Sequence, residues 1–248
     1  TRQIVFSLIG LLVFFFTTYI SIENLYNLIN SLFLLSVSVL LGLLFTTPIL
    51  GVRRWYDLEP IGLPIFIQPS EFSKIILVLF LAKILSQKSY KLIALLGVLI
   101  NLLLIFIQPD LGTTMLLLIV TSFMFFMSDI KLRSAVLGLL TLFLIFFMLL
   151  ELNFLGDYQI SRITDFFSGE DFSQKQSRLS ISSGGLFGTY FTSVQITDVF
   201  VPVQTTDFIF SLYSRNFGFL GGLILLSLWI LFFFRVNRII KLTQIEFE

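Results

Sequence analysis

Apolar residues in this chain gather into seven long runs, and most of the charge falls in the gaps between them. The runs are Ile4–Ile20, Leu28–Phe45, Phe72–Leu85, Leu92–Ile107, Leu111–Met127, Ala135–Leu150 and Phe208–Phe234. About 20 apolar residues cross the hydrocarbon core as a helix. Only helices and closed barrels satisfy the backbone inside lipid, and these runs lack the period-two alternation of barrel strands. The pattern predicts an all-α, polytopic transmembrane helix bundle of about seven spans. The third run is short, but its polar lead-in from Ser70 can continue the helix. Residues 1–248 read as a single integral-membrane domain, with 151–206 as one long extracytoplasmic loop within it.

Composition agrees. With 56% hydrophobic and 12% charged residues, the chain could not present a soluble protein's charged surface. A formal net charge of +1 offers no basic stripe for nucleic acid. There is no cysteine and no histidine, so any chemistry falls to carboxylates, hydroxyls and amides. A bound metal would then be a hard divalent cation such as Mg²⁺ or Mn²⁺, held by oxygen. The start, Thr1-Arg2-Gln3, carries neither an initiator Met nor a cleavage site, and the expectation is a fragment.

Seven spans sort the gaps into two alternating sets. One holds Lys88, Lys91, Lys131, Arg133, Arg235, Arg238 and Lys241, with few acids. The other holds most of the acids, from Asp57 and Glu59 to Asp198 and Asp207, although Arg53, Arg54 and Lys74 lie there too. Lys and Arg near span ends favour the cytoplasm. The C-terminus is expected inside and the N-terminus outside, as loss of one N-terminal span would produce. The acid-rich outer side also carries the Gly51–Pro69 connection and the long segment Glu151–Thr206. Connections of that length are usually functional or disordered.

Three outer connections end alike, in Gln68-Pro69-Ser70-Glu71, Gln108-Pro109-Asp110 and Gln204-Thr205-Thr206-Asp207. Ser, Thr and Asp in such places cap helices, and acids suit the positive end of the dipole. Three helix starts on one side of one bundle also make an anion site. Ionisable groups within a span are functional candidates, since each costs at least about 2.5 kcal/mol at its centre. Glu71 and Lys74, three residues apart, share a helical face and can pair. Their pair serves either to neutralise both groups or to contact substrate. Asp207 has no cation within four residues in sequence. A carboxylate in an apolar setting gains basicity by desolvation, which suits a general base. The glycines of Ser182-Ser183-Gly184-Gly185-Leu186-Phe187-Gly188 either let a ligand approach the backbone or form a turn.

As a set these motifs are recognisable. GVRRW at Gly51–Trp55, QPSEFSK at Gln68–Lys74, QPDLGT at Gln108–Thr113, SGGLFG at Ser183–Gly188 and TDFIF at Thr206–Phe210 follow in order. Arg162 before Phe166-Phe167 fits as well. The chain resembles the SEDS family (shape, elongation, division and sporulation), which includes RodA and FtsW, over nearly its whole length. The family has ten spans, so the resemblance implies that the first and the last two are missing here. It further implies a peptidoglycan glycosyltransferase that polymerises lipid II at the outer face of the cytoplasmic membrane of a bacterium or a bacterium-derived organelle. Asp207 matches the family's essential acid. Arg54, Glu71, Lys74, Asp110, Arg162, Ser183, Gly184, Gly185 and Gln204 fall in the matching motifs as substrate-binding candidates. The implied partners are lipid II, the nascent glycan strand and a class B penicillin-binding protein acting as transpeptidase. Relatives commonly carry Glu and His just before Thr-Asp-Phe, where this chain has Val203-Gln204-Thr205, and a Glu-Glu pair where it has Arg215-Asn216. Two alternatives stand beside the enzyme: a flippase or transporter for a lipid-linked precursor, and a non-catalytic scaffold for a transpeptidase.

Overall fold

The structure is a computed structural model that describes residues 2–49, 51–59, 65–87, 91–128, 172–191, 201 and 207–242. Seven helices and one short hairpin occupy them: α1 Arg2–Thr18, α2 Ile22–Leu43, β1 Tyr56–Asp57, β2 Phe66–Ile67, α3 Pro69–Ser86, α4 Lys91–Ile107, α5 Leu111–Met127, α6 Phe172–Ser183 and α7 Ile209–Leu242. The expected span Ala135–Leu150 lies outside the described residues, as do Arg162, Gln204 and most of the 151–206 loop. Among the described residues, two helices, Ile22–Leu43 and Ile209–Leu242, are long and apolar enough to cross a membrane, and Ile4–Thr18, Leu92–Ile107 and Leu111–Met127 are shorter apolar helices. The chain divides into two compact units, residues 1–155 with 246–248, and residues 156–245.

In the first unit α2 opens on Ser21, whose Oγ accepts from the Asn24 amide at 3.3 Å, with Glu23 in the first turn. α3 begins with Pro69 at its first helical position, where the missing N–H is no loss. Its polar lead-in is helical, as the sequence suggested. α2 to α5 pack around Phe33 and Leu40, Leu77 and Leu81, Val98 and Ile105, and Leu117 and Leu118, all buried. The rings of Phe33 and Phe80 stack with centroids 3.9 Å apart, and a Cβ on Gly97 would lie 2.6 Å from the Phe80 ring. That glycine lets α4 approach the stacked pair. Lipid tails are as apolar as leucine, so such close packing, with occasional polar bonds between helices, holds membrane bundles together. One such bond joins the buried Ser73 hydroxyl to the Asn101 side-chain oxygen.

The described side chains of α1 are exposed, as on a helix that faces lipid. The hairpin was not foreseen from the pattern. Tyr56 pairs with Ile67 and Asp57 with Phe66, antiparallel, which folds the Gly51–Pro69 connection back on itself.

In the second unit α6 packs against the first part of α7. α7 is broken at Gly218, whose φ of 69° and ψ of −170° are open only to glycine.

Candidate functional site

In the first unit, α2 and α4 finish at the end of the bundle where α3 and α5 begin, and cations and amides tie these termini together. Arg53 donates from a guanidinium nitrogen to the Leu44 carbonyl at 2.9 Å, at the C-terminal end of α2. Arg54 donates through Nε to the Gln108 carbonyl at 3.0 Å, and through a terminal nitrogen to the Pro109 carbonyl. A guanidinium over the last carbonyls of a helix meets both their missing donors and the negative dipole end. Gln108, buried, reaches across to the Leu40 carbonyl at 3.0 Å. Asp110 is the N-cap of α5, as expected, and its Oδ1 accepts from the Thr113 amide at 3.3 Å. Ser70 does not cap α3, since Gln68 takes the capping position and makes no side-chain cap bond. The amide of Gln68 is committed elsewhere. It accepts from Trp55 Nε1 at 3.2 Å and donates to Ser70 Oγ at 3.1 Å and Asp110 Oδ2 at 3.2 Å.

One turn further along α3, Lys74 Nζ lies 2.8 Å from Glu71 Oε1, which is the expected pair. An exposed pair of this kind contributes at most about 1 kcal/mol to stability. A lysine ammonium carries three donors, and Glu71 engages one. On another face of α3, Val39, Tyr56, Ile67, Pro69, Phe72 and Ile76 line an apolar groove of about 360 Å³ between α2, the hairpin and the start of the helix. At its edge Tyr56 donates its hydroxyl to the Val39 carbonyl at 2.8 Å, and burial pushes its phenol up from the ordinary 10.0. A Cβ on Gly42 would meet that hydroxyl at 2.5 Å, so the bare glycine leaves room for it to reach Val39.

In the second unit, the glycine motif follows α6. Its backbone approaches α7 itself. A Cβ on Gly184 would lie 2.3 Å from the Ser214 carbonyl oxygen, and one on Gly188 would lie 2.1 Å from that of Asn216. The amides of Thr189 and Tyr190 donate to the Arg215 and Asn216 carbonyls at 2.9 and 3.1 Å. In return the amides of Phe219 and Leu220 donate to the Gly185 and Leu186 carbonyls at 2.8 and 3.2 Å. The loop thereby supplies the partners that the break at Gly218 removes. Non-helical backbone at membrane depth needs such cover. Ser183 turns its hydroxyl to the Ser180 carbonyl at 2.7 Å.

Asp207 is exposed at the turn that precedes α7, where the Phe208 carbonyl accepts from the Ser211 and Leu212 amides at 3.0 and 3.3 Å. It does not sit in the apolar enclosure that its sequence neighbours suggested. Among the described residues, no three acidic side chains gather to hold a metal ion. Glu71 is paired with Lys74, and both carboxylate oxygens of Asp110 are bonded.

The family model for the cell cycle proteins FtsW, RodA and SpoVE matches residues 1–248. The chain belongs to this family of membrane-integral proteins. It is similar to the stage V sporulation protein E of Bacillus subtilis strain 168, with 31% identity over 96% of this chain and 68% of that protein. It is also similar to the peptidoglycan glycosyltransferase MrdB of Helicobacter pylori strain J99, with 32% identity over 92% of this chain and 62% of that one. Among solved structures, a chain from a peptidoglycan synthase complex that coordinates polymerization and crosslinking superposes with a TM-score of 0.71 at 28% identity, over 94% of this chain and 67% of that one. The chain thus spans about two thirds or less of the length of these relatives. That likeness extends the SEDS resemblance from ordered motifs to the fold.

Proposed function

We propose that this protein polymerises lipid II into glycan strands, as a peptidoglycan glycosyltransferase working at the outer face of the cytoplasmic membrane. The observation that carries the reading is family membership across the whole chain, joined to the exposed carboxylate of Asp207, which the family resemblance matches to its essential acid. In the proposed reaction an acceptor sugar hydroxyl attacks the anomeric carbon of the donor. Asp207 takes the hydroxyl proton as the new C–O bond forms. The bond from that carbon to the polyprenyl pyrophosphate breaks, its electron pair leaves with the phosphate oxygen, and the anomeric configuration inverts. Exposure at the start of α7 leaves the carboxylate open to an acceptor.

Lys74 suits the leaving group. Its ammonium keeps donors beyond the one given to Glu71, and a pyrophosphate gathers negative charge as it departs. The apolar groove along α2 and α3 suits the prenyl tail. Arg54 and Asp110 act in this reading by holding helix ends in place, because their donors and acceptors are engaged by the scaffold. Glycines 184 and 185 act through the shape of the α7 break. Ser183, Arg162 and Gln204 keep the substrate-side roles that the family resemblance implies.

The remaining features follow the same reading: seven crossings, the long loop outside, and a single domain working beside a transpeptidase. The solved neighbour from a complex that coordinates polymerization with crosslinking supports such a partner. The residues around Asp207 favour one other reading, a scaffold that has lost catalysis. Incubation of the purified protein with lipid II separates the readings. Glycan polymer supports the enzyme. Movement of labelled lipid across a vesicle bilayer without polymer would indicate a flippase, and neither would indicate a scaffold.

A further inference from the structure

We propose that Gln68 is a positioning residue for glycosyl transfer: its amide, held between the Trp55 indole, the Ser70 hydroxyl and the Asp110 carboxylate, sets the start of α3 and so the place of the Glu71–Lys74 pair. The proposal rests on the glycosyltransferase reading, in which Lys74 faces the pyrophosphate.

Chemistry fixes how this amide must point. An indole N–H can only donate, so it meets the amide oxygen, here at 3.2 Å. An ionised carboxylate can only accept, so Asp110 Oδ2 meets the amide nitrogen, also at 3.2 Å. The second amide hydrogen goes to Ser70 Oγ at 3.1 Å, and Ser70 is buried. Each neighbour belongs to a different part of the unit. Trp55 adjoins Arg54, which holds the end of α4, and precedes the hairpin. Ser70 is in the first turn of α3, and Asp110 caps α5. Gln68 is therefore where the hairpin, α3 and α5 meet through one side chain. Lys74 lies about 1.7 turns further along α3, so a shift at Gln68 is carried to it by a rigid helix. Misplacement of a catalytic group by about 1 Å can reduce a rate by about 100-fold.

The network allows a swap of polarity. Gln68→Glu removes both donors and sets two carboxylates against each other. Asp110→Asn still caps α5 through its oxygen but turns an amide nitrogen toward that of Gln68. Together, Gln68→Glu and Asp110→Asn restore a donor facing an acceptor, with the sense reversed. Trp55 still finds an oxygen, and the Ser70 hydroxyl can rotate to donate.

The experiment uses the purified protein in detergent, with Trp229→Phe as background so that Trp55 is the remaining tryptophan of residues 1–248. Three variants, each single substitution and the pair, are compared for polymer made from lipid II, for kcat and KM separately, and for Trp55 emission. The expected result is a kcat for Gln68→Glu lower by about 10- to 100-fold with a shifted Trp55 emission, and recovery of both in the pair. An unaltered Gln68→Glu variant overturns the proposal, and so does a pair that is inactive or unfolded. Where Gln68→Glu alone fails to fold, the pair decides by itself, and its activity supports the proposal. Absence of polymer from the parent protein refutes glycosyl transfer, and with it the catalytic part of the proposal. Trp55 emission still reports in that case whether the swap rebuilds the network.

Discussion

The Phe219 amide donates to the Gly185 carbonyl at 2.8 Å, joining the glycine loop to the helix one residue past its break. The contact is possible because Gly218 adopts a backbone conformation closed to other residues. An added Cβ there would also lie 2.4 Å from the Gly188 amide nitrogen and 2.5 Å from the Leu186 carbonyl oxygen. Gly218→Ala is therefore expected to lower stability by about 1–3 kcal/mol from backbone strain alone, with the clash adding to it. Gly10→Ala, inside α1, meets nothing within 4 Å and is the control expected to keep or slightly raise stability. Thermal unfolding of both variants in detergent checks the contrast, and equal midpoints would refute the role given to the loop.

The hairpin makes a second prediction. Tyr56→Phe removes the hydroxyl that meets Val39 and should cost about 1 kcal/mol. Gly42→Ala should reproduce that loss by displacing the same hydroxyl. Burial raises the Tyr56 phenol above 10.0, so its neutral form is favoured by folding. The stability it contributes is complete below about pH 10 and is lost as pH rises through the folded-state value. Stability should fall with pH above about 10 through this group in the parent but not in Tyr56→Phe, and parallel alkaline profiles would refute the assignment.

How far these contacts could be read in advance depends on their range along the chain. α5 matches its apolar run residue for residue, and the polar lead from Ser70 proved helical because Pro69 starts a helix well. The Glu71–Lys74 pair and the Asp110 cap span three residues each, and both were legible. The break in α7 was not, because Phe208–Phe234 reads as one apolar run and its repair comes from carbonyls more than thirty residues earlier. Arg54 stood out only through the motif that contains it, and nothing local showed that the end of α4 would engage it. α7 also continues past Phe234 to Leu242, since Arg235, Arg238 and Lys241 are good helix formers.

The ion pair on α3 offers a third test. If Glu71 and Lys74 only neutralise each other, replacing both with leucine preserves polymerisation. If Lys74 meets pyrophosphate, both Lys74→Leu and the double variant lose it. The second outcome is expected, with thermal midpoints close to the parent because an exposed pair contributes little. An active double variant would make the pair structural.

The central claim rests on Asp207. Asn is nearly isosteric and still able to bond a helix start, but it cannot accept a proton at neutral pH. The measurement is glycan chain formation from lipid II by purified Asp207→Asn protein, alongside its thermal midpoint in detergent. The account predicts an unchanged midpoint and a rate lower by about 10²–10⁴, the usual contribution of a positioned general base. A well-folded Asn variant that polymerises at the parent rate would contradict it and remove Asp207 from the reaction.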